Sequence, residues 1–459
     1  MNDELRRDID SFAEQNRENI IRDISRLVAV NSVEGESAED APYGAGPAEA
    51  LKVAFDIARE LGLETESYDG KMGCAMTGAG DRYLATITHL DIVPAGDGWS
   101  GDPLTLRQRE GYMIGRGVMD DKGPSVLCLY ALKYLKDRGL ELRYPVRALL
   151  GLSEETGMDD VVYYLDNYPA PLFCFSPDAN FPLCNGEKGG FHGRIVSKIA
   201  LDNIVDIHGG IAGNVIPDKA SATVKAQSLR STERVEAVEK EPGVWELHAR
   251  GIGGHASQPE GTINAIGLLV DYMLENKLLR GEEKALFEFF AKMHRASDGS
   301  LLGIDARDEA FGALTVIGGV IGIENGRIFQ TVDSRYPTST DGKTIAAKLL
   351  AQAGGLAEVI TDSDSVPFYM SLDNPAVQVC INAYNTITGE NAEPYTIGGG
   401  TYARQFPNAV SFGPEHPERP APDFAGPIHG ADEAASIEYF MEALKVYILA
   451  LIELEKLEF

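Results

Sequence analysis

The sequence predicts an α/β protein with a second domain inserted into the first. The chain has 459 residues, which is too many for a single hydrophobic core. Apolar, β-rich runs alternate with stretches of helical periodicity over residues 1–185, and several runs end in acidic or imidazole side chains. Residues 186–385 also alternate strands and helices but carry no further carboxylate cluster. We therefore expect a first domain of residues 1–185 and 386–459, interrupted by an inserted domain at 186–385.

Apolar residues at helical spacing predict helices in both domains. The predicted ranges are 5–28, 47–61, part of 117–139, 264–274, 282–294 and 431–457. In the inserted domain, the turn Asn325-Gly326 separates two apolar runs, which is the usual sequence of a β-hairpin.

Three apolar runs of the first domain predict buried strands at 82–94, 144–152 and 172–176. Each run carries polar side chains at or just beyond its carboxyl end, and these are His89, Asp91, Glu154, Glu155 and Asp178. Ligands of open α/β sheets bind beyond those strand ends. The sequence therefore predicts a polar site at one edge of the sheet.

Asp120 lies in the glycine-flanked segment GRGVMDDKG at 115–123, where the backbone can turn sharply into a helix. A carboxylate has two oxygens, so this side chain could ligate two metal ions about 3.5–4 Å apart. His429, in GPIHGADE before the last helix, is a further candidate ligand. The alternatives are an acidic turn for Asp120 and an ordinary loop histidine for His429.

The other candidates also have structural alternatives. His89 could be a satisfied core histidine, Glu154 and Glu155 a solvated patch, and Asp178 a turn residue after proline. Taken as one cluster, His89, His429, Asp120, Glu155 and Asp178 would carry a charge of about −3 and would repel one another without cations. Two divalent cations would neutralise the cluster, and imidazole with carboxylate suits Zn²⁺, Mn²⁺ or Co²⁺.

Composition excludes several function classes. The net charge of −29 argues against nucleic acid and against an anionic membrane surface as partners. The five cysteines form no Cys-x-x-Cys pair, so a reducing cytoplasm is the expected compartment. The amino-terminal segment predicts a charged amphipathic helix, and no apolar run approaches the length of a membrane span.

Five motifs together resemble the metal motifs of the M20 metallopeptidases, in the same order along the chain. They are HLDIVP at 89–94, GVMDDKG at 117–123, EETG at 154–157, SPDA at 176–179 and IHGA at 428–431. Within that family the chain is similar to the bacterial dipeptidase branch called PepV. That finer resemblance depends on an inserted domain of about 200 residues and on Asn214, His255, Arg335 and the segment GGGTYAR at 398–404.

The resemblance implies a di-metal exopeptidase-type catalytic domain, with a central mixed sheet flanked by helices, and an inserted α+β lid. It implies that Asp120 bridges the metals, with a cis bond to Asp121. His89 and Asp178 would complete one metal site, and Glu155 and His429 the other. Asp91 is expected to orient His89, and Glu154 to be the general base. The residues expected to contact substrate are His255, Arg335, Asn214, Gly399, Gly400 and Thr401.

The expected reaction is hydrolysis of the amide bond of a dipeptide, and β-alanyl dipeptides are among the candidate substrates. A water bridging two ions, with Zn²⁺ favoured over Mn²⁺ or Co²⁺, would lose a proton to Glu154 and attack the carbonyl, and His255 would stabilise the oxyanion. The enzyme is expected to be a cytoplasmic monomer that binds a small dipeptide.

Two functional alternatives stay open at this point. An N-acyl amino acid deacylase, such as a succinyl-diaminopimelate desuccinylase, would share the metal site and differ in its pocket. A catalytically inactive, metal-stabilised binding protein would be free to lose Glu154, so the presence of that residue favours catalysis. Arg335 could instead be a hairpin arginine paired with a surface acid, and His255 a loop histidine bonded to backbone. We expect the remaining histidines to be structural, namely His192, His208, His248, His294 and His416.

Overall fold

The structure is a computed structural model and describes residues 1–256 and 259–459. The chain forms two compact units. The first consists of Met1–Asn185, Tyr369–Tyr395 and Gly400–Phe459, and the second of Gly186–Phe368 and Thr396–Gly399. The domain boundaries expected from the sequence stay a prediction.

A mixed sheet forms the centre of the first unit. Its core strands Val146–Gly151, Leu84–His89, Phe173–Ser176 and Ala409–Ser411 are neighbours in that order and run parallel. Parallel strands are usually buried on both faces, and the six residues of Leu84–His89 are all buried. The hairpin of Glu64–Tyr68 and Met72–Thr77 adds two antiparallel strands beside Val146–Gly151.

Helices surround this sheet. Their bounds are Asp3–Val28, Ala45–Glu60, Lys122–Asp137, Asp159–Asn167, Pro375–Thr388 and Ile437–Leu454, with a 3₁₀ turn at Tyr402–Gln405. Several begin at a side-chain cap, as where Asn2 accepts a hydrogen bond from the Leu5 amide and Ser436 one from the Tyr439 amide. Helices Lys122–Asp137 and Ile437–Leu454 bury most of their residues because both are apolar nearly all round.

Short strands complete the first unit. A three-stranded sheet joins Arg107–Arg109, Tyr112–Ile114 and Ala434–Ser436, and a two-stranded parallel pair joins Ala179–Asn180 to Pro414–Glu415. Three further strands lie where the chain passes from one unit to the other, at Cys184–Glu187, Phe368–Tyr369 and Tyr395–Ile397.

An antiparallel sheet forms the second unit. Its strands, in spatial order, are Val235–Glu241, Val244–Arg250, Lys219–Lys225, Ile204–Gly209, Ile321–Glu324, Arg327–Tyr336, Gly189–Ser197 and Ala357–Ser365, and Thr315–Ile317 also pairs with Arg327–Tyr336. Short pairs join Val215–Ile216 to Gly254–His255 and Arg307–Asp308 to Gly312–Ala313.

One face of the second sheet packs against helices Ala265–Glu275, Gly281–Arg295 and Gly342–Ala353, and a 3₁₀ turn lies at Ser300–Leu302. Leu269, Phe290 and Leu349 are fully buried members of the core between the helices and the sheet. The turn predicted at Asn325-Gly326 is observed, with Asn325 at a φ of 50° between paired strands.

The predicted α/β fold with a mixed central sheet is confirmed, but two predicted boundaries are wrong. The strand expected to continue to residue 94 ends at His89, because the chain then leaves the sheet and the Ile92 amide bonds the Ser32 carbonyl. The last helix was expected to begin at residue 431 and begins at Ile437. Residues Ala434–Ser436 pair instead with Tyr112–Ile114, a long-range contact that local periodicity does not encode.

Over residues 1–256 and 259–459, none of the helices is both long enough and apolar enough to pass through a lipid bilayer. All five cysteines lie in the described part of the chain and are buried free thiols.

Candidate metal centre

Three parallel strands bring the predicted ligands to one edge of the first unit's sheet. His89 is the last residue of its strand and pairs with Gly151, the last residue of the neighbouring strand. The turn that follows Gly151 carries Glu154 and Glu155, and Asp178 follows the strand that ends at Ser176. Because the strands are parallel, these side chains share a single edge.

Asp120 lies between two imidazoles. Its Oδ1 is 2.8 Å from Nε2 of His89, and its Oδ2 is 2.8 Å from Nε2 of His429. The side chain is nearly buried, with 8% of the residue exposed. One carboxylate therefore presents each of its oxygens to a different ligand-type nitrogen, as a residue bridging two ions would.

The two remaining predicted ligands, Glu155 and Asp178, each lie near one of the two imidazoles beside Asp120. Oε1 of Glu155 is 3.1 Å from Nε2 of His429, and Oδ2 of Asp178 is 4.0 Å from Nε2 of His89. Potential ligand atoms of His89, Asp120 and Glu155 all lie within 4.8 Å of one another. The structure thus brings together the five side chains singled out in the sequence, in two groups that share Asp120.

The orientation of His89 is fixed through its other ring nitrogen. Nδ1 lies 3.0 Å from the backbone carbonyl of Asp91 and 3.4 Å from that residue's carboxylate. Such a contact holds the ring so that Nε2 faces a metal. The Asp91 carboxylate also accepts hydrogen bonds from the backbone N–H groups of Glu154, at 3.2 Å, and Glu155, at 3.0 Å.

Electrostatics in the cluster favour positive charge. Burial disfavours the charged form of Asp120, but hydrogen bonds from His429 and His89 outweigh it and hold the Asp120 pKa well below its usual range. The same bond to Asp120, with one to Glu155, raises the pKa of His429 to about 10. Burial opposes protonation of His89, but its contacts with Asp120 and Asp91 raise the His89 pKa well above the ordinary value.

For the neighbouring carboxyl groups, burial and like charges outweigh the attraction of the His89 imidazolium. Burial, followed by the charges of Asp120 and Glu155, raises the pKa of Glu154 to about 8, although the His89 imidazolium opposes the shift. Burial and the charge of Asp120 raise the pKa of Asp178 and of Asp121 well above the usual range. Divalent cations would supply the missing positive charge, and the imidazole and carboxylate donors suit them, so these residues fit a metal centre.

A buried ion pair supports the Asp120 turn, and no sequence pattern distinguishes its two members. Arg116 and Glu433 are paired, and each side chain is only 1% exposed. The Glu433 carboxylate also accepts the amides of Met119 at 3.0 Å and Asp120 at 3.3 Å, while Arg116 donates to the His429 carbonyl at 3.2 Å. The pair therefore ties the Asp120 turn to the loop that carries His429. The peptide bond between Asp120 and Asp121 is cis, as the resemblance implied.

Predicted substrate residues in the second unit form a cluster of their own. His255 pairs with Val215, next to Asn214, and the Asn214 carbonyl accepts the Ala256 amide. Burial, followed by the charge of Arg335, lowers the His255 pKa. The Arg335 side chain makes two hydrogen bonds to buried Asp333, at 2.9 and 3.1 Å, and one of 3.3 Å to the Gly398 carbonyl. The acid paired with Arg335 is thus buried rather than at the surface.

His192 belongs to the same cluster, although the sequence suggested only a structural role. Its Nδ1 lies 3.0 Å from the Asp333 carboxylate, so Asp333 lies between His192 and Arg335. The signal was present in the strand pairing, which places His192 opposite Asp333, but the sequence alone does not show that register.

The glycine loop, residues 398–401, is divided between the units. Gly399 belongs to the second unit, and Gly400 and Thr401 belong to the first. Thr401 caps the 3₁₀ turn Tyr402–Gln405, and its hydroxyl lies 2.8 Å from that of Ser411.

Comparison with known proteins identifies the family. The profile of the family described as Peptidase family M20/M25/M40 matches residues 85–453. The chain belongs to this family. It is a peptide-bond hydrolase, and membership of M20 implies the use of divalent metal ions.

Individual relatives span almost the whole chain. The Beta-Ala-Xaa dipeptidase of Lactobacillus delbrueckii subsp. lactis is 32% identical over 467 residues, covering 97% of this chain and 98% of that protein. Human carnosine dipeptidase 1 has a similar fold, with a TM-score of 0.60 at 14% identity over 98% of this chain and 99% of that one. The aminoacylhistidine dipeptidase of Vibrio alginolyticus has a TM-score of 0.57 at 14% identity, over 94% and 96% of the two chains.

Three predictions from the sequence are confirmed by these comparisons: the M20 family, the α/β metallopeptidase fold and hydrolysis of peptide bonds. The roles of individual residues stay predictions.

Proposed function

We propose that the enzyme is a dipeptidase that hydrolyses the amide bond of small dipeptides, with β-alanyl dipeptides among its substrates. Asp120 carries this proposal, because each of its two oxygens lies 2.8 Å from a different imidazole nitrogen. The named activity of the Lactobacillus relative, which acts on β-Ala-Xaa, supports the substrate class.

Two divalent ions would bind in this cluster, with Zn²⁺ the first choice and Mn²⁺ or Co²⁺ as alternatives. Asp120 would bridge them, His89 and Asp178 would complete one site, and Glu155 and His429 the other. When bound, such ions lower the pKa of water and polarise a carbonyl group.

Glu154 is the proposed general base. Its amide is anchored by Asp91 at 3.2 Å, which fixes the turn next to the ligand Glu155. In the metal-free protein burial raises the Glu154 pKa to about 8, so the group is mostly protonated at neutral pH. Nearby cations favour the carboxylate. That carboxylate can take a proton from the attacking water at Oε and give it to the leaving amine.

The substrate contacts predicted from the sequence are part of this proposal. Arg335 offers a guanidinium for the substrate's carboxylate, with Asp333 holding its orientation through two hydrogen bonds. Asn214, Gly399, Gly400 and Thr401 are the proposed contacts for the substrate's terminal groups. His255, whose pKa is lowered by burial and by Arg335, would donate a hydrogen bond to the developing oxyanion.

The test is a substrate panel with metal analysis. Protein reconstituted with Zn²⁺, Mn²⁺ or Co²⁺ would be assayed on a β-alanyl dipeptide, an α-dipeptide, and N-succinyl and N-acetyl amino acids. We expect cleavage of the dipeptides. Cleavage of the N-acyl amino acids alone would replace this proposal with a deacylase.

Glu154→Ala is the matched variant for that assay. Loss of a general base costs about 10²–10⁴ in turnover, and metal content should stay at the wild-type level because Glu154 is not a proposed ligand. A variant that kept wild-type turnover would remove Glu154 from the mechanism.

We further propose a monomeric enzyme acting in the cytoplasm. Five buried free thiols are compatible with a reducing compartment. Size-exclusion chromatography with light scattering would measure the oligomeric state.

A further inference from the structure

Two buried carboxylates hold the turn that carries Glu154. Oδ2 of Asp160 accepts the amides of Leu152 at 2.7 Å and Ser153 at 3.1 Å. The Asp91 carboxylate accepts the next two amides, those of Glu154 and Glu155. Four consecutive backbone N–H groups thus donate hydrogen bonds to two side chains. The direction of the turn depends on where these two carboxylates lie.

Asp91 already has a neighbour in the metal cluster, but Asp160 does not. Asp160 lies in the first turn of helix Asp159–Asn167 and has no exposed surface. Its Oδ2 accepts a third hydrogen bond, 2.5 Å long, from the Tyr402 hydroxyl, and its Oδ1 accepts the Val161 amide at 2.7 Å. The Tyr402 hydroxyl and the two turn amides therefore share one carboxylate oxygen.

The ring of Tyr402 is closely enclosed. A Cβ added to Gly151 would lie 2.2 Å from the Tyr402 hydroxyl oxygen and 2.6 Å from two ring carbons, so only glycine leaves room for this ring. On another side the ring meets His89 edge-to-face, with centroids 6.2 Å apart. Tyr402 itself is fully buried. These contacts fix the Tyr402 hydroxyl beside Asp160, which holds the start of the turn that carries Glu154.

Tyr402 also follows the glycine loop, residues 398–401, directly in sequence. Thr401 caps the 3₁₀ turn that Tyr402 opens, and Gly400 precedes it. A displacement of Gly400 or Thr401 would move the backbone of Tyr402, and the rigid ring would transmit that movement to Asp160. The covalent and hydrogen-bonded path from Gly400 and Thr401 to Glu154 is thus short and lies in the first unit.

We propose that Tyr402 and Asp160 are positioning residues for the general base. Together they set the placement of Glu154 and couple it to the glycine loop that is proposed to hold substrate. This inference rests on the proposed function in its choice of base and loop. Neither residue is among the proposed metal ligands, the proposed base or the proposed substrate contacts. Catalytic groups need placement within about 0.5 Å, so loss of one anchoring hydrogen bond is expected to reduce turnover.

Tyr402→Phe is the first test, because phenylalanine fills the same space and removes only the hydroxyl. Loss of a hydrogen bond to a charged group changes an equilibrium constant by about ten- to a hundredfold. We expect kcat to fall by about that factor, with KM within about twofold of wild type and the same metal content per chain. A merely structural role would lower the thermal midpoint without this separation of kcat from KM.

The matched control is Tyr130→Phe. Tyr130 is also a buried tyrosine of the first unit, and its hydroxyl donates to buried Asp23 at 2.7 Å, between helices that carry no proposed catalytic residue. This variant should lose comparable thermal stability and keep wild-type kcat. Equal kcat losses in the two variants would overturn the proposal.

Asp160→Asn provides a second variant. If both residues act through one path, the double variant Tyr402→Phe with Asp160→Asn should lose no more kcat than the more impaired single variant, since coupled residues are non-additive. Independent, multiplying losses would overturn the proposal. Should Asp160→Asn fail to fold, the Tyr402→Phe and Tyr130→Phe comparison decides.

Hydrogen–deuterium exchange separates this inference from the proposed function. The amides of residues 151–158 should exchange faster in Tyr402→Phe than in wild type or Tyr130→Phe, with no substrate present. If the wild-type protein cleaved no dipeptide, the proposed function would fail while this measurement still decided whether Tyr402 holds the turn. Unchanged exchange in that segment would overturn the positioning role.

Discussion

At the scale of single residues, the protons on His89 and His429 matter most for metal binding. In the metal-free protein, contacts with Asp120 raise the His429 pKa to about 10 and the His89 pKa well above its usual value. Both imidazoles are therefore protonated at neutral pH. A metal ligates only the neutral imidazole, so each ion must displace a proton.

We predict that metal binding at pH 7 releases about three to four protons per chain, from His89, His429, Asp178 and Glu154. Apparent affinity should fall as pH falls, since more protons must then be displaced. Calorimetric titration in buffers of different ionisation enthalpy measures the number released. His429→Ala should release about one proton fewer, and release of none by wild type would contradict the assignment.

The limits of sequence reasoning are also visible at this scale. Four candidate ligands could be selected because each lies at the end of an apolar run or in a glycine turn, and His429 because it precedes the last helix. Asp160, Tyr402 and Glu433 could not, because an aspartate at a helix start and a glutamate near a helix start are ordinary caps by sequence. Their roles depend on partners 242 or 317 positions away, as in Tyr402 with Asp160 and Arg116 with Glu433.

At the scale of elements, the Arg116–Glu433 pair joins two segments that each carry a proposed metal ligand. Both side chains are 1% exposed, and Glu433 also accepts two amides of the Asp120 turn. Removal of one member leaves the other as a buried, unpaired charge, which is the costly case for an ion pair.

Glu433→Ala is therefore expected to lower the free energy of unfolding by about 3–5 kcal/mol. It should also weaken metal binding by about 10- to 100-fold, because the turn that positions Asp120 loses its support. Urea unfolding and a metal titration measure the two effects. The control is Glu438→Ala, an exposed acid in the first turn of the last helix, with an expected cost below about 1 kcal/mol.

Helices and strands were predictable where the local sequence pattern determines the structure. They were not predictable where long-range strand pairing determines it. The helix expected at 5–28 is observed at Asp3–Val28, and the helix expected at 282–294 at Gly281–Arg295. The sequence predicts helix at Ala434–Ser436, where the structure has a strand, because a three-residue strand has no periodicity of its own. This strand forms by pairing with Tyr112–Ile114. The order of strands in either sheet likewise required the structure.

At the scale of the whole molecule, divalent ions should stabilise the fold. The proposed ligands come from segments far apart in sequence, so the unfolded chain offers no preformed site. Ions that bind only the folded state add about 2.7 kcal/mol per site at 100 times Kd.

We predict that EDTA lowers the midpoint of thermal unfolding and that added Zn²⁺ restores it. Differential scanning calorimetry with and without chelator measures the shift. Asp120→Asn, which removes the proposed bridging charge, should show a much smaller dependence on chelator. Superimposable wild-type curves in the two conditions would count against a metal centre here.

The spread of the ligands along the chain also has a consequence for biosynthesis. A nascent polypeptide passes Asp178 early, yet the ribosome must add about 250 more residues before His429 exists, which takes roughly 10–50 s at usual elongation rates. Until then Asp120 lacks one of its two imidazole neighbours. With the proposed ligands, full metal loading would therefore come only after His429 has been added, and products of premature termination would be recognisable as metal-poor protein.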